Sequence, residues 1–437
     1  TKSGIEAVAI DPKLAQIMEP SVNPDLVGAV VVPDGSIDPF RLTASNVMDA
    51  TENGAKMFTY CEVKNLIREG GKVIGVDVYD HKNRVNRKFF APLVVNAGGI
   101  WGQGIAEYAD LKIKMFPAKG ALLVMGHRIN KMVINRCRKP ADADILVPGD
   151  TICVIGTTSS RIPYDQIDNM EVTPEEVDIL FREGEKLAPS LRHTRVLRAY
   201  AGVRPLVASD DDPSGRNVSR GIVLLDHAER DITITGGKLM TYRLMAEWAT
   251  DLVCKKLNKT ARCTTAERPL PGSSESRAET NQKVISLPST IRYSAVYRHG
   301  SRATRLLDKE RLDRSMVCEC EAVTAGEVRY AVDELNVNNL VDLRRRTRVG
   351  MGTCQAELCA CRAAGLMNRF EVATPRQSTT QLASFMEERW RGIEPIAWGE
   401  AIREAEFTSW IYGSVLGLND VQPLETDKQQ GTDNNEF

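Results

Sequence analysis

Cys318-x-Cys320 is followed, after 33 intervening residues, by Cys354-x4-Cys359, with Cys361 just beyond. Half of the chain's 10 cysteines therefore lie on two short stretches. Thiolates gathered in this way suit a soft metal centre, because sulfur selects zinc, copper(I) or iron-sulfur clusters over hard cations. The spacing is neither the Cys-x2-Cys of common zinc ribbons nor a ferredoxin spacing. Two loops each offering two thiolates can still hold a [2Fe-2S] cluster, with structural zinc as the alternative. Arg344, Arg345, Arg346 and Arg348 precede Cys354. Facing the site, they would offset thiolate charge and raise a reduction potential; otherwise they form a solvated basic helix. The sequence leaves both open.

Two strand-glycine-helix junctions could meet a cofactor or an anion. Leu93-Val94-Val95-Asn96-Ala97-Gly98-Gly99 reads as a buried strand breaking into a turn and then a helix over 103–108, which would let a ligand approach bare backbone. Ile232-Thr233-Ile234-Thr235-Gly236-Gly237-Lys238 is the second. There a helix N-terminus offers free N–H groups and the positive end of a dipole. Leu239, Tyr242, Ala246, Ala249 and Val253 then recur at helical spacing, one apolar face.

The elements that must position these groups are legible in outline. A helix is expected over 39–55, then a hairpin over 62–68 and 72–80 turned by Glu69-Gly70-Gly71. In its second strand Ile74, Val76 and Val78 form the expected core face, Val73, Gly75 and Asp77 the other. Thr173-Pro174-Glu175-Glu176 is a capping box that opens a helix to about Leu187. Residues 264–288 turn polar and turn-rich, marking a connection. Beyond it Thr324-Ala325-Gly326-Glu327 is another capping box, with further helices over 340–346 and after Cys359. Trp390, Trp398 and Trp410 are expected in the core, and the polar tail from Thr426 is expected to be disordered.

Composition narrows the function classes. A net charge of -1, from 57 basic and 58 acidic residues, supplies no field towards nucleic acid. No stretch reaches the ~18 consecutive apolar residues that a membrane span needs, and the first residues form no apolar signal core. The reading is a cytoplasmic or peripheral protein. Cys61, Cys137, Cys153, Cys254 and Cys263 are scattered singly, as reduced, small core residues would be.

The two cysteine pairs resemble the bacterioferritin-associated-ferredoxin-like [2Fe-2S] module, and on that resemblance Cys318, Cys320, Cys354 and Cys359 are the ligands and Cys361 a spare thiol, although spacing alone allows Cys361 in place of Cys359. The preceding segments, Asn96-Ala97-Gly98-Gly99-Ile100-Trp101, Pro117-Ala118-Lys119-Gly120, Ile155-Gly156-Thr157-Thr158, Gly202-Val203-Arg204-Pro205-Leu206 and Thr235-Gly236-Gly237-Lys238-Leu239-Met240-Thr241-Tyr242-Arg243, resemble in this order the FAD-dependent glycerol-3-phosphate dehydrogenases of the D-amino-acid-oxidase-like flavoprotein group. With the module appended, the resemblance narrows to the large subunits of the family's anaerobic branch.

The resemblance implies an α/β (α+β) flavoprotein with a small helical [2Fe-2S] domain. It implies oxidation of sn-glycerol 3-phosphate to dihydroxyacetone phosphate by hydride transfer to FAD. Electrons would pass through the cluster to other subunits of a membrane-associated complex and indirectly to quinone, the protein sitting peripherally at the inner face of the cytoplasmic membrane. FAD is expected on Asn96, Ala97, Gly98, Gly99, Trp101, Gly236, Gly237, Lys238, Leu239 and Thr241. Arg220 is expected at the substrate phosphate, with Arg204 and Lys238 near the C2 oxygen, where a positive group stabilises developing alkoxide, or near the flavin carbonyl edge. The alternatives are an electron-transfer scaffold with an inactive flavin domain, or a dehydrogenase for another 2-hydroxy or 2-amino acid.

Two departures qualify that picture. Ala121 and Leu122 follow Lys119-Gly120 where related aerobic enzymes carry a histidine, which leaves His227 as the candidate base. No G-x-G-x-x-G turn, the pyrophosphate anchor of this fold, occurs in the sequence, so it reads as N-terminally incomplete and is expected to hold FAD weakly by itself. The expected organisation is a dehydrogenase region over 1–263, a linker and connecting helix over 264–310, the [2Fe-2S] module over 311–375, and a C-terminal helical segment with its tail over 376–437.

Overall fold

Met115–Met125 is apolar at most positions, the composition of a strand covered on both faces, and it is the spine of a six-stranded antiparallel sheet. The computed structural model describes residues 4–207, 221–227, 231–273, 277–284, 287–307 and 310–421; Arg220 and the tail from Thr426 lie outside them. Strand Val196–Val207 runs beside the spine, setting Gly202 opposite Gly120 and Arg204 opposite Ala118. Cys153–Gly156 and Ser160–Arg161 also pair with it. Leu123, Met125, Leu146 and Ile155 form a core with Val177 and Leu180 of helix Pro174–Glu185. The expected capping box of Thr173 and Glu176 opens that helix.

A second sheet places Val94–Asn96 parallel to Asp231–Gly236, which pairs in turn with Ile222–His227. Val95 is exposed, so the first glycine junction follows a partly open strand rather than a buried one. Helix Tyr242–Lys256 continues from the second junction through a short 3-10 turn, Leu239–Thr241. Of its expected apolar face only Ala249 is buried; Leu239 and Tyr242 are exposed, because the 3-10 turn breaks the helical phase at the start.

The hairpin Cys61–Glu69 and Lys72–Asp80 forms, joined by Val85–Phe90. In its second strand the buried valines are Val73 and Val78, not the even-numbered face throughout. The register shifts between Ile67 and Arg68, leaving Ile74 as an extra residue on the second strand. Such a bulge reverses the alternation, so Val73 joins Leu66 and Val76 in one core.

The cysteine-bearing part is a two-stranded ribbon, Met316–Cys318 and Val323–Thr324, followed by helices Ala325–Leu335, Leu340–Thr347 and Ala360–Arg369. Leu343 and Met367 are wholly buried there. Helix Pro375–Ile393 completes the core with Leu382 and Phe385, while its last residue, Ile393, sits with Ile396 in the core of the six-stranded sheet. One helix thus belongs to both bodies. Trp390 of this helix is exposed, and so, further on, are Trp398 and Trp410, rather than core residues. Of the scattered cysteines only Cys153 is buried, and Cys137 is exposed. Among the described residues no helix is long and apolar enough to cross a membrane.

Candidate metal centre and active site

The ribbon and the loop before helix Ala360–Arg369 bring the two cysteine pairs together. Cys318 and Cys359 are each 1% exposed, Cys320 and Cys354 are half-buried, and Cys361 is exposed. Cys359 lies beside both Cys318 and Cys354, and Cys354 beside Cys320, close enough for their thiols to interact. The neighbouring Cys359 thiol holds the thiols of Cys354 and Cys318 low. The same contacts push Cys359 up, and burial pushes Cys320 up. Four thiols gathered in this manner are those a metal would deprotonate on binding. Among the described residues no point is ringed by three or more His, Cys, Asp or Glu side chains suited to one ion. Two bridged irons ask only for two thiolates each.

The cations around this centre are more selective than the basic run suggests. Arg345 points to solvent, and Arg348 binds the carboxylates of Glu321 at 2.7 Å and Asp38 at 3.1 Å. Arg344 turns inward too, within electrostatic reach of Cys359. Its Nε and that of Arg198 are buried without a hydrogen-bond partner. A buried cation with an orphaned donor is costly unless an anion stands nearby, so this surrounding fits a negatively charged thiolate cluster.

A second device holds the ribbon. Arg298 donates through Nη1 to the carbonyl of Glu321 and through Nη2 to that of Ala322, both at 2.7 Å, fixing the turn that follows Cys320. Glu321, next to Cys320, also accepts from Thr151 at 3.0 Å, which ties the centre to the six-stranded sheet. Sequence reasoning found Glu327 only as a capping residue and missed Arg298, Arg198, Gln355 and Arg389. Their partners are remote in the chain, so no local spacing marks them.

The two glycine junctions come side by side: Asn96 stands in register with Thr233, and its Nδ2 donates to the carbonyl of Gly102 at 2.8 Å. Asn96 Oδ1 accepts from the N–H of Gly98, and Trp101 Nε1 donates to Asp168 at 2.9 Å. Gly236 and Gly237 have φ of +75° and +72°, where a Cβ on Gly236 would lie 2.5 Å from the carbonyl of Gly221. Only glycine serves such a turn. Beyond it Leu239 and Met240 are exposed, as is Trp101, and Ala97 lies in the turn between. Open backbone beside exposed apolar side chains fits a flat aromatic cofactor.

Arg204 lies across Gly120, where a Cβ would come 2.7 Å from Nη2. It donates to Thr157 Oγ1 and to the carbonyls of Lys119 and Thr158 at 3.4 Å. Lys119 itself is bound by Glu176 at 2.9 Å and is not a free cation. The strand of Arg204 abuts strand Asp231–Gly236, after which Lys238 stands exposed, its backbone N–H on Thr241 Oγ1 at 3.0 Å. His227 is half-buried, with Nε2 3.1 Å from Thr233 Oγ1. A separate open cleft of about 780 Å³, lined by Gln103, Lys112, Met115, Arg161 and Tyr164 among others, includes neither Arg204 nor Lys238.

The FAD dependent oxidoreductase family model matches residues 1–252, and the BFD-like [2Fe-2S] binding domain matches residues 316–369. The chain is 92% identical over 441 residues to a Haemophilus influenzae protein described as a component subunit of anaerobic glycerol-3-phosphate dehydrogenase, covering 100% of this chain and 78% of that protein. An Escherichia coli protein of the same description is 68% identical over 96% of this chain and 79% of its own length. The solved structure of a glycerol-3-phosphate dehydrogenase from Bacillus halodurans with FAD superposes at a TM-score of 0.75, with 24% identity, covering 90% of this chain and 81% of the other. That likeness establishes the fold.

Proposed function

Because the chain belongs to the family of FAD-dependent anaerobic glycerol-3-phosphate dehydrogenase subunits that carry a [2Fe-2S] domain, we propose that it oxidises sn-glycerol 3-phosphate to dihydroxyacetone phosphate. FAD, when bound, supplies the hydride acceptor, and the [2Fe-2S] group the one-electron carrier. The metal ligands in this reading are Cys318, Cys320, Cys354 and Cys359. The observation that carries it is their convergence on one site ringed by buried guanidinium groups, in a body continuous with the sheet that bears Arg204.

The division of labour follows from the contacts. Arg204, tied to Thr157 and to sheet carbonyls, is a fixed cation that needs little reorganisation as charge develops on the C2 oxygen. Lys238 is exposed and long enough to close on a bound substrate. Arg220 is assigned to the phosphate on the resemblance of its segment. Asn96, Ala97, Gly98, Gly99 and Trp101, with Gly236, Gly237, Leu239 and Thr241, offer the cofactor backbone and apolar surface. Other subunits take the electrons and hold the protein peripherally at the membrane, with quinone as the eventual acceptor.

The test is anaerobic flavin bleaching by glycerol 3-phosphate, compared with glycerol, lactate and proline, together with electron paramagnetic resonance of the reduced protein. Bleaching by glycerol 3-phosphate alone, and a [2Fe-2S] signal that Cys318→Ser abolishes, are expected. Stoichiometric zinc without iron in anaerobically purified protein, or bleaching by another substrate instead, would sink the reading.

A further inference from the structure

Gln355, the residue after Cys354, is 5% exposed and is held at both of its oxygens by arginines. Arg389 Nε donates to its backbone carbonyl at 3.1 Å, and Arg344 Nη2 donates to its Oε1 at 3.1 Å. Its own Nε2 donates to the carbonyls of Gly352 at 2.9 Å and Met351 at 3.1 Å, closing the loop that carries Cys354. The two arginines come from different elements, helix Leu340–Thr347 and helix Pro375–Ile393.

Neither cation has a close carboxylate partner, and Glu357 acts on Arg389 and Glu388 on Arg344 only at longer range. Arg389 is 7% exposed and lines the same narrow crevice as Cys354. Among the described residues neither Arg344 nor Arg389 has a carboxylate within ion-pair distance, and neighbouring Arg198 has only Glu388, at 3.6 Å and itself 38% exposed. Burying cations without a close counter-charge is unfavourable, and beside those carboxylates the anions they face are thiols of the centre, Cys354 for Arg389 and Cys359 for Arg344. The contrast is Arg362, whose bidentate pair with Glu319 is open to solvent and locally neutral.

We propose that Arg344 and Arg389 are positioning residues of the [2Fe-2S] centre that fix the Cys354 loop through Gln355 and, by their buried charge, raise its reduction potential. The inference rests on the proposed function, in which the centre accepts one electron at a time from the reduced flavin and passes it to a carrier in a partner protein. Each electron taken up adds negative charge to the centre, and a dry cation without a close carboxylate stabilises that state more than a solvated one. Arg198 joins the effect to the dehydrogenase sheet, because helix Pro375–Ile393 crosses strand Val196–Val207 so closely that a Cβ on Gly392 would meet its Nε at 2.9 Å.

The experiment is a redox titration of the full chain with its partner subunits, followed by electron paramagnetic resonance and iron content, on Arg389→Gln, Arg344→Gln, their lysine counterparts and Arg362→Gln. Each glutamine variant is expected to lower the reduced-to-oxidised ratio of the cluster at fixed potential about tenfold, about 59 mV for a one-electron couple. The lysine variants should recover most of the shift, and Arg362→Gln should move little. An unchanged potential in glutamine variants that keep their iron, or an equal shift in Arg362→Gln, overturns the proposal. If the glutamine variants lose the cluster, the lysine variants decide. Retention of iron at the wild-type potential supports the proposal, and loss there too leaves only a scaffold role and overturns it. Absence of a [2Fe-2S] signal from the unsubstituted protein is a different failure, that of the functional reading itself.

Discussion

Arg298 and Glu327 form a bidentate ion pair with side chains only 2% and 0% exposed, Nε to Oε1 at 2.7 Å and Nη2 to Oε2 at 3.1 Å. The carboxylate also accepts from the N–H of Thr324 at 2.8 Å, so one residue caps helix Ala325–Leu335 and holds the arginine that clamps the turn after Cys320. Breaking such a pair from one side leaves an unpaired buried charge and costs about 3–5 kcal/mol. Glu327→Ala is therefore expected to lower the denaturant midpoint of the cysteine-bearing part and to reduce iron retention. Unfolding followed through cluster absorbance measures both, and an unchanged midpoint would show that the pair does not hold the ribbon.

His299 gives a pH dependence whose sign is fixed by its surroundings. Its Nε2 is 2.9 Å from Glu327 Oε1, which suggests an imidazolium, yet Arg298 already neutralises that carboxylate and burial disfavours a second cation. Burial holds the imidazole below its usual value, with Arg298 and Arg41 adding to the effect. The unfolded chain then binds the proton more readily than the folded one, so stability is full above the ordinary histidine value near 6.5 and falls as pH drops below it, towards the lowered folded value. The slope is at most about 1.4 kcal/mol per pH unit from this group. Unfolding midpoints between pH 7.5 and 5.5 should decline in the natural protein and flatten in His299→Gln; parallel profiles would contradict the assignment.

The ligand set can be separated one thiol at a time. Cys359 is buried against Cys318 and Cys354, whereas Cys361, two residues on, is on the surface. Cys359→Ser is expected to lose the [2Fe-2S] resonance signal or alter it sharply, and Cys361→Ser to leave signal and iron content as they were. The reverse pattern would exchange the two assignments.

How much of this was legible in the sequence depended on the range of each interaction. Cys354 and Cys359 are near neighbours, and a capping box such as Thr324 to Glu327 spans one helical turn, so both can be read from spacing. The bond from Arg298 to Glu327 crosses 29 residues, and that from Arg389 to Gln355 crosses 34, with no periodicity to mark either. Val73 was misassigned because one extra residue at Ile74 reverses a strand's faces, and a bulge leaves no trace in alternation alone. Leu239 and Tyr242 followed a helical rule that holds only after the first turn has become α-helical. Trp390 differs from expectation for a related reason: its size argues for burial, while helix Pro375–Ile393 turns other residues to its two cores.

Gly120 and Arg204 offer the sharpest test of the catalytic half. The glycine is required by the arginine's path: a methyl group there would come within 2.7 Å of Nη2 and 3.0 Å of Nη1, closer than van der Waals contact permits. The spine strand is buried on both sides, so the sheet cannot shift cheaply and the guanidinium must move. Gly120→Ala should therefore displace Arg204 without removing it or disturbing the glycine junctions at 96–101 and 236–241. A displacement on the order of 1 Å at a charge-stabilising group costs up to about a hundredfold in rate, so kcat/KM for glycerol 3-phosphate is expected to fall between about tenfold and a hundredfold. Flavin content and the cluster signal should hold. Steady-state kinetics beside flavin and iron analysis distinguish the outcomes: an unchanged kcat/KM would free Arg204 from the reaction, and loss of flavin would move it to a cofactor-binding role.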